Sequence, residues 1–566
     1  SEHSSAANRY NPPPYDRATS DGNDETFHTE GSDEGPEARG FRLSRFLGVS
    51  QISTSMQKLG IYRKVSRREN LNAPVRDSDI MRPSELVLDD DEERSIFPKF
   101  DMRTPCVGLI ILAFLAAGIS TSVVFSLRDR DSLVPARTPI AREDFELVLA
   151  EITDLALFTD ETSPQSKALD WIATEDPQQL TPTSSNLLQR YALMVLYFAT
   201  DGIRWGFEFV DWHDGSPECE WDFITCEGQD VIQIEIENQF ASGSLPPEIG
   251  ALTNLKALWM ARNSLTGTLP ESMFGMTSLV SLNLAFNSIK SDLSERLGDL
   301  VELRYIELEQ NEFVGTIPSS IVNLVNLVSL SLSFNRFNGP ALETLIKLTR
   351  LEVMDLRVNE FDGTIPVDID AFSTLKKLGM RNNNFVGTIP SSVGSLAQLT
   401  SLDLSFNKLT GTLPPEFLNL RQLEVMDLSK NKLNGTIPTE FSGLVELQHF
   451  LLDNNEFSGN IPSELSRIRK LKDLFLSENN FSGTIPTYLG RLIDLEQLVL
   501  WSNELSGTIP SELTNLTLLR DLFLQRNRLV GPEPEGFCRL KTNFSLGNYV
   551  ADCVGTQCKC CDHCNS

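Results

Sequence analysis

Asparagine recurs along the C-terminal part of the chain at one fixed interval, which is the spacing from Asn263 to Asn287. Apolar residues stand eight, five and three positions before each asparagine and two after it, as in Leu399, Leu402, Leu404 and Leu409 around Asn407. The asparagines are Asn263, Asn287, Asn311, Asn335, Asn359, Asn383, Asn407, Asn431, Asn455, Asn479, Asn503 and Asn527. One period earlier Gln239 takes the same place behind matching apolar positions, so the pattern predicts thirteen repeats over 231–534.

The spacing within a repeat predicts its local structure. Each Leu-x-Leu segment is expected to be a short strand whose two leucines point inward while the intervening residues face outward. The asparagine amide can satisfy backbone groups where the chain bends. No repeat can bury its leucines alone, so neighbours are expected to stack into a solenoid with a parallel sheet on one side.

These residues resemble the plant-type leucine-rich repeat, in its version of twenty-four positions per repeat. The resemblance implies an α/β solenoid with capping modules. More narrowly, the chain is similar to receptor-like proteins of the algal or diatom kind that lack a kinase domain. Ten of the thirteen repeats continue as Gly-(Thr/Ser/Asn)-(Ile/Leu)-Pro, and the three that depart do so at 291–294, 339–342 and 531–534. We expect local irregularity on the return side there.

Cysteines cluster at both ends of the repeats. Cys219 and Cys226, with two tryptophans upstream, resemble the N-terminal cap of plant-type repeat proteins, which implies a cap over 201–230 closed by a short disulfide. The C-terminal cap over 535–566 holds Cys538, Cys553, Cys558, Cys560, Cys561 and Cys564. Six cysteines allow fifteen pairings, so their connectivity stays open. A zinc site built from Cys558, Cys561, His563 and Cys564 is the alternative.

Residues 106–127 contain no charged residue and lie between Arg103 and Arg128. At 1.5 Å per residue, such a helix is long enough for a hydrocarbon core of about 30 Å. A hundred mostly polar residues precede it, which argues against a cleaved signal peptide. The segment is therefore predicted to be one transmembrane helix.

The orientation follows from what lies on each side of this segment. Eight of the nine cysteines lie C-terminal to it, and so do four glycosylation sequons, at Asn434, Asn480, Asn515 and Asn543. Both features suit the outside of a cell. We expect a single-pass plasma-membrane protein with a cytoplasmic N-terminus and extracellular, glycosylated repeats. This topology favours disulfides over zinc in the C-terminal cap.

The remaining segments are assigned by composition. Residues 1–38 are predicted to be a disordered acidic cytoplasmic tail, and 39–105 a basic juxtamembrane region. Residues 128–200 show helical periodicity and are predicted to form a membrane-proximal stalk, where they resemble algal receptor-like proteins. The tail carries Pro12, Pro13, Pro14 and Tyr15, a polyproline segment that suits a WW-domain protein as partner.

The formal net charge of -29 argues against nucleic-acid binding. The charge divides into -4 for 1–127 and -25 for 128–566. No phosphate-binding loop, zinc-protease motif or kinase signature set is present, and only five histidines occur. We therefore expect a protein that is not an enzyme and needs no cofactor or metal.

Two sets of outward-facing strand positions are candidate binding sites. The apolar set is Leu451, Phe475, Val499, Trp501 and Phe523, on positions where solvated strands are polar. The alternative is that this set packs against glycans or the C-terminal cap. Arg357 and Arg381 could clamp a carboxylate or sulfate, or each could pair with a neighbouring aspartate such as Asp355 or Asp403, the pairing being favoured.

The resemblance implies a receptor-like protein that binds an extracellular peptide, glycan or protein and signals through recruited partners, such as a co-receptor kinase. The alternative hypothesis is a non-signalling adhesion or cell-wall contact protein.

Overall fold

A computed structural model of the chain describes residues 141–206, 212, 215–552 and 560–565. Its largest element is a 16-stranded sheet in which all strands from β2 onward pair parallel in chain order. The strands are β1 (Ile224–Glu227), β2 (Asp230–Glu235), β3 (Ala257–Trp259), β4 (Ser281–Asn283), β5 (Tyr305–Glu307), β6 (Ser329–Ser331), β7 (Val353–Asp355), β8 (Lys377–Gly379), β9 (Ser401–Asp403), β10 (Val425–Asp427), β11 (His449–Leu451), β12 (Asp473–Phe475), β13 (Gln497–Val499), β14 (Asp521–Phe523), β15 (Asn548–Asp552) and β16 (His563–Asn565).

The solenoid predicted from the repeat is thus present. Strands β2 to β14 recur at the same interval as the asparagines, and the central residue of each is buried, as with Leu402 of β9 and Leu474 of β12. The flanking residues of each strand face the opposite, concave side, because successive side chains of a strand alternate between its two faces.

The repeated asparagines connect neighbouring repeats through hydrogen bonds. Asn407 Oδ1 accepts the backbone N–H of Phe385 at 3.0 Å. Its Nδ2 donates to the carbonyl oxygens of Met380, Leu404 and Ser405 at 3.0–3.1 Å. The same geometry recurs from Asn263 to Asn527, with the accepted N–H located 22 residues upstream and the first carbonyl 27 residues upstream in each case. One side chain therefore satisfies backbone groups of two successive turns.

The residue before each asparagine, like Asn238 before Gln239, adopts the left-handed conformation, at a φ of 51–57° as far as Arg526. Phe286, Phe334 and Phe406 are among these residues. This conformation disfavours side chains with a Cβ. Its recurrence once per repeat indicates that the bend is fixed by the asparagine hydrogen bonds.

The return side of the solenoid consists of short strands and helical turns. Its strands are Ser242–Ser244, Ser264–Thr266, Val314–Gly315, Arg336–Gly339, Glu360–Phe361, Val386–Thr388, Lys408–Thr412, Lys432–Gly435, Glu456–Asn460, Asn480–Thr484, Glu504–Gly507 and Arg528–Leu529. Its 3-10 helices are Pro247–Ala251, Glu271–Gly275, Glu295–Asp299, Ser319–Asn323, Ile369–Ala371, Ser391–Ser395, Pro415–Asn419, Thr439–Gly443, Ser463–Arg467, Thr487–Arg491 and Ser511–Asn515.

The return side is irregular where the sequence departs from the repeat. Its first sheet ends at Ser264–Thr266 and the next begins at Val314–Gly315, on either side of Ser291. Ser291 stands where other repeats have a glycine at positive φ, such as Gly411 at +84°. An α-helix, Ala341–Leu345, replaces the 3-10 turn after Asn335.

Helices precede the first repeat. They are α1 (Arg142–Leu149), α2 (Leu155–Phe158), α3 (Pro164–Asp170), a π-helical turn (Trp171–Glu175), α4 (Leu187–Ala199), and 3-10 turns at Gly202–Arg204 and Glu218–Glu220. Their buried side chains share one core with the repeats. These helices lie within the segment 128–200 that is predicted to be a stalk, and they pack against the cap and the first repeats.

The centre of this N-terminal module is Arg190, whose side chain is fully buried. Its guanidinium donates to both carboxylate oxygens of Asp176 at 2.8 and 2.9 Å and to Glu218 at 3.1 Å. It also lies 5.1 Å from the ring centre of Trp171 and 4.6 Å from that of Trp221. Two carboxylates thus neutralise one buried cation. The adjacent loop is closed by a disulfide between Cys219 and Cys226.

The C-terminal cap consists of the helix Gly536–Asn543, which we call the cap helix, with β15 and β16. Asp552 accepts the backbone N–H groups of Arg526 and Asn527 at 2.7 Å, in place of the backbone carbonyls that a further repeat would supply. Cys538 forms a disulfide with Cys560. Cys553 and Cys558 lie outside the described residues, as does the side chain of Cys564.

The predicted transmembrane helix at 106–127 lies outside the described residues, with the acidic tail, the basic region and Pro12 to Tyr15. Across the residues that the structure does describe, no helix combines the length and apolar character needed to cross a membrane.

Replacing Asn407 with alanine is expected to lower the free energy of unfolding by about 3 kcal/mol, because it leaves the buried Phe385 N–H without an acceptor. Guanidinium chloride unfolding measures the change. Asn419→Ala is the control, since Asn419 is exposed and should change the free energy by less than about 0.5 kcal/mol. Equal midpoints for the two variants would contradict a structural role for the asparagine hydrogen bonds.

Candidate functional site on the concave face

The predicted apolar residues lie side by side on the concave face. Leu451 of β11 pairs with Phe475 of β12, which pairs with Val499 of β13, which pairs with Phe523 of β14. Neighbouring strands are about 4.8 Å apart, so the four side chains form one continuous row. Val499 is buried at 7 % exposure and the other three are half-buried. We call this row the apolar ladder.

Two further residues extend the apolar ladder. Trp501, half-buried, lies two residues after β13, and the guanidinium of Arg526 lies 5.9 Å from its ring centre. Val550 of β15 pairs with Phe523, so the row continues into the C-terminal cap. The cap therefore contacts one end of the row, while Leu451 and Phe475 lie farther along the concave face.

The two predicted arginines are both paired with aspartates. Arg357 donates to both carboxylate oxygens of Asp355 at 2.9 Å. Arg381 lies 3.3 Å from Asp427 and 4.4 Å from the ring centre of Phe406. These contacts correspond to the pairing alternative, although Arg381 uses Asp427 rather than Asp403. Arg357 and Arg381 are therefore both engaged with aspartates in the described part of the chain.

At the other end of the concave face several residues are acidic. The strands β2 to β5 pair in register there, and their paired residues are Glu235, Trp259, Asn283 and Glu307. Asn283 Nδ2 donates to Oε1 of Glu237 at 3.2 Å. Together with Glu309, two residues after β5, these carboxylates form what we call the acidic cluster: Glu235, Glu237, Glu307 and Glu309. The repeat pattern alone does not distinguish this cluster, although acids at two outward positions of the repeat are a visible signal.

Glu307 is the most unusual member of this cluster, because it is only 5 % exposed. Burial raises its pKa to about 8, with the negative charges of Glu309 and Glu237 adding to the shift. Burial also raises the pKa of Glu309 and of Glu237, against the opposing charge of Arg262. Carboxylates at this end of the face are thus held protonated more readily than usual.

The four predicted glycosylation sites are all exposed. Asn434 and Asn480 lie on return-side strands, Asn515 ends a 3-10 helix and Asn543 ends the cap helix. Glycans on these residues would therefore project away from the concave face at the first two sites. Within the described part of the chain, no group of three or more His, Cys, Asp or Glu side chains could hold a metal ion.

Comparisons with known proteins agree with this geometry. A family model described as leucine rich repeat matches residues 397–457, and a second of the same description matches 374–396, 470–492 and 494–516. Over 58 residues the chain is 36 % identical to the LRR receptor-like serine/threonine-protein kinase GSO2 of Arabidopsis thaliana, which is 10 % of this chain and 5 % of that kinase. These matches identify leucine-rich repeats in the chain and a similarity to plant receptor kinases over part of it.

Two solved receptors superpose on this leucine-rich-repeat protein. The crystal structure of PEPR1-AtPEP1 does so with a TM-score of 0.56 and 29 % identity, covering 65 % of this chain and 55 % of that one. The crystal structure of a TDR receptor gives a TM-score of 0.51 and 30 % identity, covering 56 % and 59 %. The chain thus spans somewhat more than half the length of these solved receptors and a small part of the kinase.

The pKa of Glu307 predicts a pH-dependent stability. Its value is about 8 in the folded protein and near 4.5 when unfolded, so the unfolded state releases the proton first as pH rises. The free energy of unfolding should therefore fall between about pH 5 and about pH 8. We expect Glu307→Gln to remove on the order of 3 kcal/mol of this fall, measured by urea unfolding across that range.

The control for this experiment is Glu416→Gln, which removes an exposed carboxylate from a return-side turn. It should keep the wild-type pH profile. Burial also raises the pKa of Asp453, to about 6, so that the effect of Glu307 is clearest above that pH. An unchanged profile in Glu307→Gln would show that Glu307 ionises normally in the folded protein.

Proposed function

We propose that the protein is a single-pass cell-surface receptor-like protein whose repeats bind an extracellular peptide, glycan or protein partner on their concave face. Signalling then passes through recruited partners, such as a co-receptor kinase. The proposed role is recognition rather than catalysis. In the proposed topology the repeats lie outside the cell and the N-terminal tail lies in the cytoplasm.

The apolar ladder is the observation that carries this proposal. Solvated strand positions are normally polar, whereas here Leu451, Phe475 and Phe523 face the concave side of neighbouring strands. Aromatic side chains on a rigid frame are typical anchors of binding interfaces. Since parallel pairing fixes the strands, a partner meets a preformed surface and little ordering is needed on binding.

The likeness to two receptors supports the same proposal. One of them was solved as PEPR1-AtPEP1, and the other is a TDR receptor. Both superpose over more than half of this chain, so their repeats provide a concave face of the same kind. A bound ligand, as in PEPR1-AtPEP1, is what we carry over to this protein as a proposal.

The double variant Phe475→Asp/Phe523→Asp is expected to lose at least about 90 % of the surface partner, because two charges would be buried in the apolar contact. The measurement is cell-surface crosslinking followed by quantitative mass spectrometry on cells that express the full chain. The reference is the set of proteins crosslinked to the wild type.

Val445→Asp/Leu518→Asp is the matched control. Both residues are exposed, at 51 % and 49 %, and both lie in segments that lead from a return-side turn into the next strand. This variant should keep the wild-type partner set. If both double variants crosslink the same set of partners, the apolar ladder is not the binding site. Loss of wall attachment without a change in downstream phosphorylation would favour the adhesion alternative.

The proposed topology predicts N-linked glycans on the exposed sequons. Treatment with a glycosidase specific for N-linked glycans should increase gel mobility of the wild type, but not of a variant with Gln at Asn434, Asn480, Asn515 and Asn543. Protease added to intact cells should digest the repeats and spare the N-terminal tail. Protection of the repeats together with unglycosylated sequons would reverse the proposed orientation.

A further inference from the structure

The acidic cluster lies on the same concave face as the apolar ladder, but it is separated from the ladder by several strands. Glu307 ends β5, whereas the ladder begins at Leu451 in β11. Six strand spacings of about 4.8 Å place these residues roughly 29 Å apart along the sheet. The cluster is therefore a separate feature of the surface that the proposed function leaves unexplained.

One carboxylate oxygen of Glu307 lacks the partner that a buried oxygen normally has. The residue is only 5 % exposed, and its Oε1 has no hydrogen-bond partner. Oε2 of neighbouring Glu309 is likewise buried without a partner. A buried charged group that is left unpaired is costly, so a native structure needs a reason to keep it.

Other acids on the concave face show what is missing here. Asp355 is held by Arg357 and Asp427 by Arg381, each on the same face. Near the acidic cluster, Arg262 is the cation that acts on Glu237 and Glu309, and its guanidinium lies over the ring of Phe286 at 4.4 Å. Among the described residues Arg262 thus acts on two of the four carboxylates, so the cluster has more acidic groups than positive charge beside it.

The side chain of Glu307 lies on the concave side with the other glutamates of the cluster. Ile306 before it faces the core at 1 % exposure, and successive side chains of a strand alternate between its faces. An open depression of about 350 Å³ adjoins the cluster and is lined by Phe223, Ile224, Thr225, Glu235, Glu237 and Gln239. A flexible ligand side chain can therefore reach Glu235 and Glu237 from solvent.

We propose that the acidic cluster binds a cationic group, an ammonium or guanidinium, of the same extended peptide ligand whose apolar residues contact the ladder. This inference rests on the proposed function and narrows its ligand. A strand-like peptide advances about 3.3 Å per residue, so the cation and the apolar anchor are separated by roughly nine residues. A metal ion is not the occupant we infer, since the described residues offer no metal-binding group.

Two pools of capped peptides of about twelve residues provide the probe, a length that spans both features. One pool contains Lys and Arg, and the other contains norleucine and citrulline at the same positions. Both contain Leu, Phe and Trp. Each pool is passed over the immobilised, detergent-solubilised full chain, and retained peptides are counted by mass spectrometry. The wild type should retain cationic peptides at least about tenfold more than their neutral counterparts.

The test variant is Glu307→Gln/Glu309→Gln, which keeps side-chain shape and removes two carboxylates. Its control is Glu416→Gln/Glu512→Gln, which makes the same change of charge on exposed return-side turns. The test variant should retain both pools equally, whereas the control should keep the tenfold preference. A preference that persists in the test variant would overturn the inference.

Proton release gives a second readout. Binding of a cation ionises the carboxylates, so calorimetry near pH 7 in two buffers of different ionisation enthalpy should detect released protons with the wild type and fewer with Glu307→Gln. Equal release by the two proteins would also overturn the inference. If the wild type retains neutral and cationic peptides equally, the proposed cation site is contradicted while the proposed binding function is not. If the wild type retains neither pool, the cation site and the binding function are both contradicted.

Discussion

The asparagine hydrogen bonds are the interaction on which the rest of the structure depends. Each asparagine amide accepts an N–H from the preceding repeat and donates to carbonyls of two successive turns, as Asn407 does with Phe385 and Met380. Without this side chain, the chain could not bend sharply after each strand and still satisfy its backbone. Because the bend is identical in each repeat, every strand begins at the same point and pairs in register with the next.

Register has a direct consequence for the concave face. Residues at one position of the repeat become neighbours about 4.8 Å apart. Similar residue types at an outward position of consecutive repeats therefore form a continuous surface. Leucine and phenylalanine in β11, β12 and β14, with valine in β13, produce the apolar ladder. Glutamates in and after β2 and β5 produce the acidic cluster. The two proposed subsites are thus consequences of one repeat geometry with different outward residues.

The sequence predicted the parts of the structure that depend on this geometry. The strand positions, the inward leucines and the outward row from Leu451 to Phe523 all follow from the constant interval between the asparagines. Side-chain contacts between different repeats, and contacts within the caps, could not be predicted from the constant interval. Arg381 reaches Asp427 two repeats away, and Cys538 pairs with Cys560 among fifteen conceivable connectivities.

The packing of the N-terminal helices and the burial of Glu307 could not be predicted from the sequence pattern for a related reason. Periodicity predicted helices within 128–200, but it did not reveal the packing that joins them to the cap, such as that of Arg190 against Asp176 and Glu218. The pattern likewise placed Glu307 on the outward side of its strand, where polar residues are ordinary. Its burial depends on its surroundings in the folded solenoid, which no single repeat reveals.

Hydroxyl-radical footprinting of the full chain on intact cells tests the central claim, that the concave face is the binding surface. The same protein, purified without partners, is the reference, and Tyr488 on a return-side turn, 48 % exposed, is the internal standard. The account predicts that Phe475, Trp501 and Phe523 are oxidised less on cells than in the purified protein, while Tyr488 is unchanged. Equal oxidation of the three concave residues in both states, or protection confined to Tyr488, would contradict it.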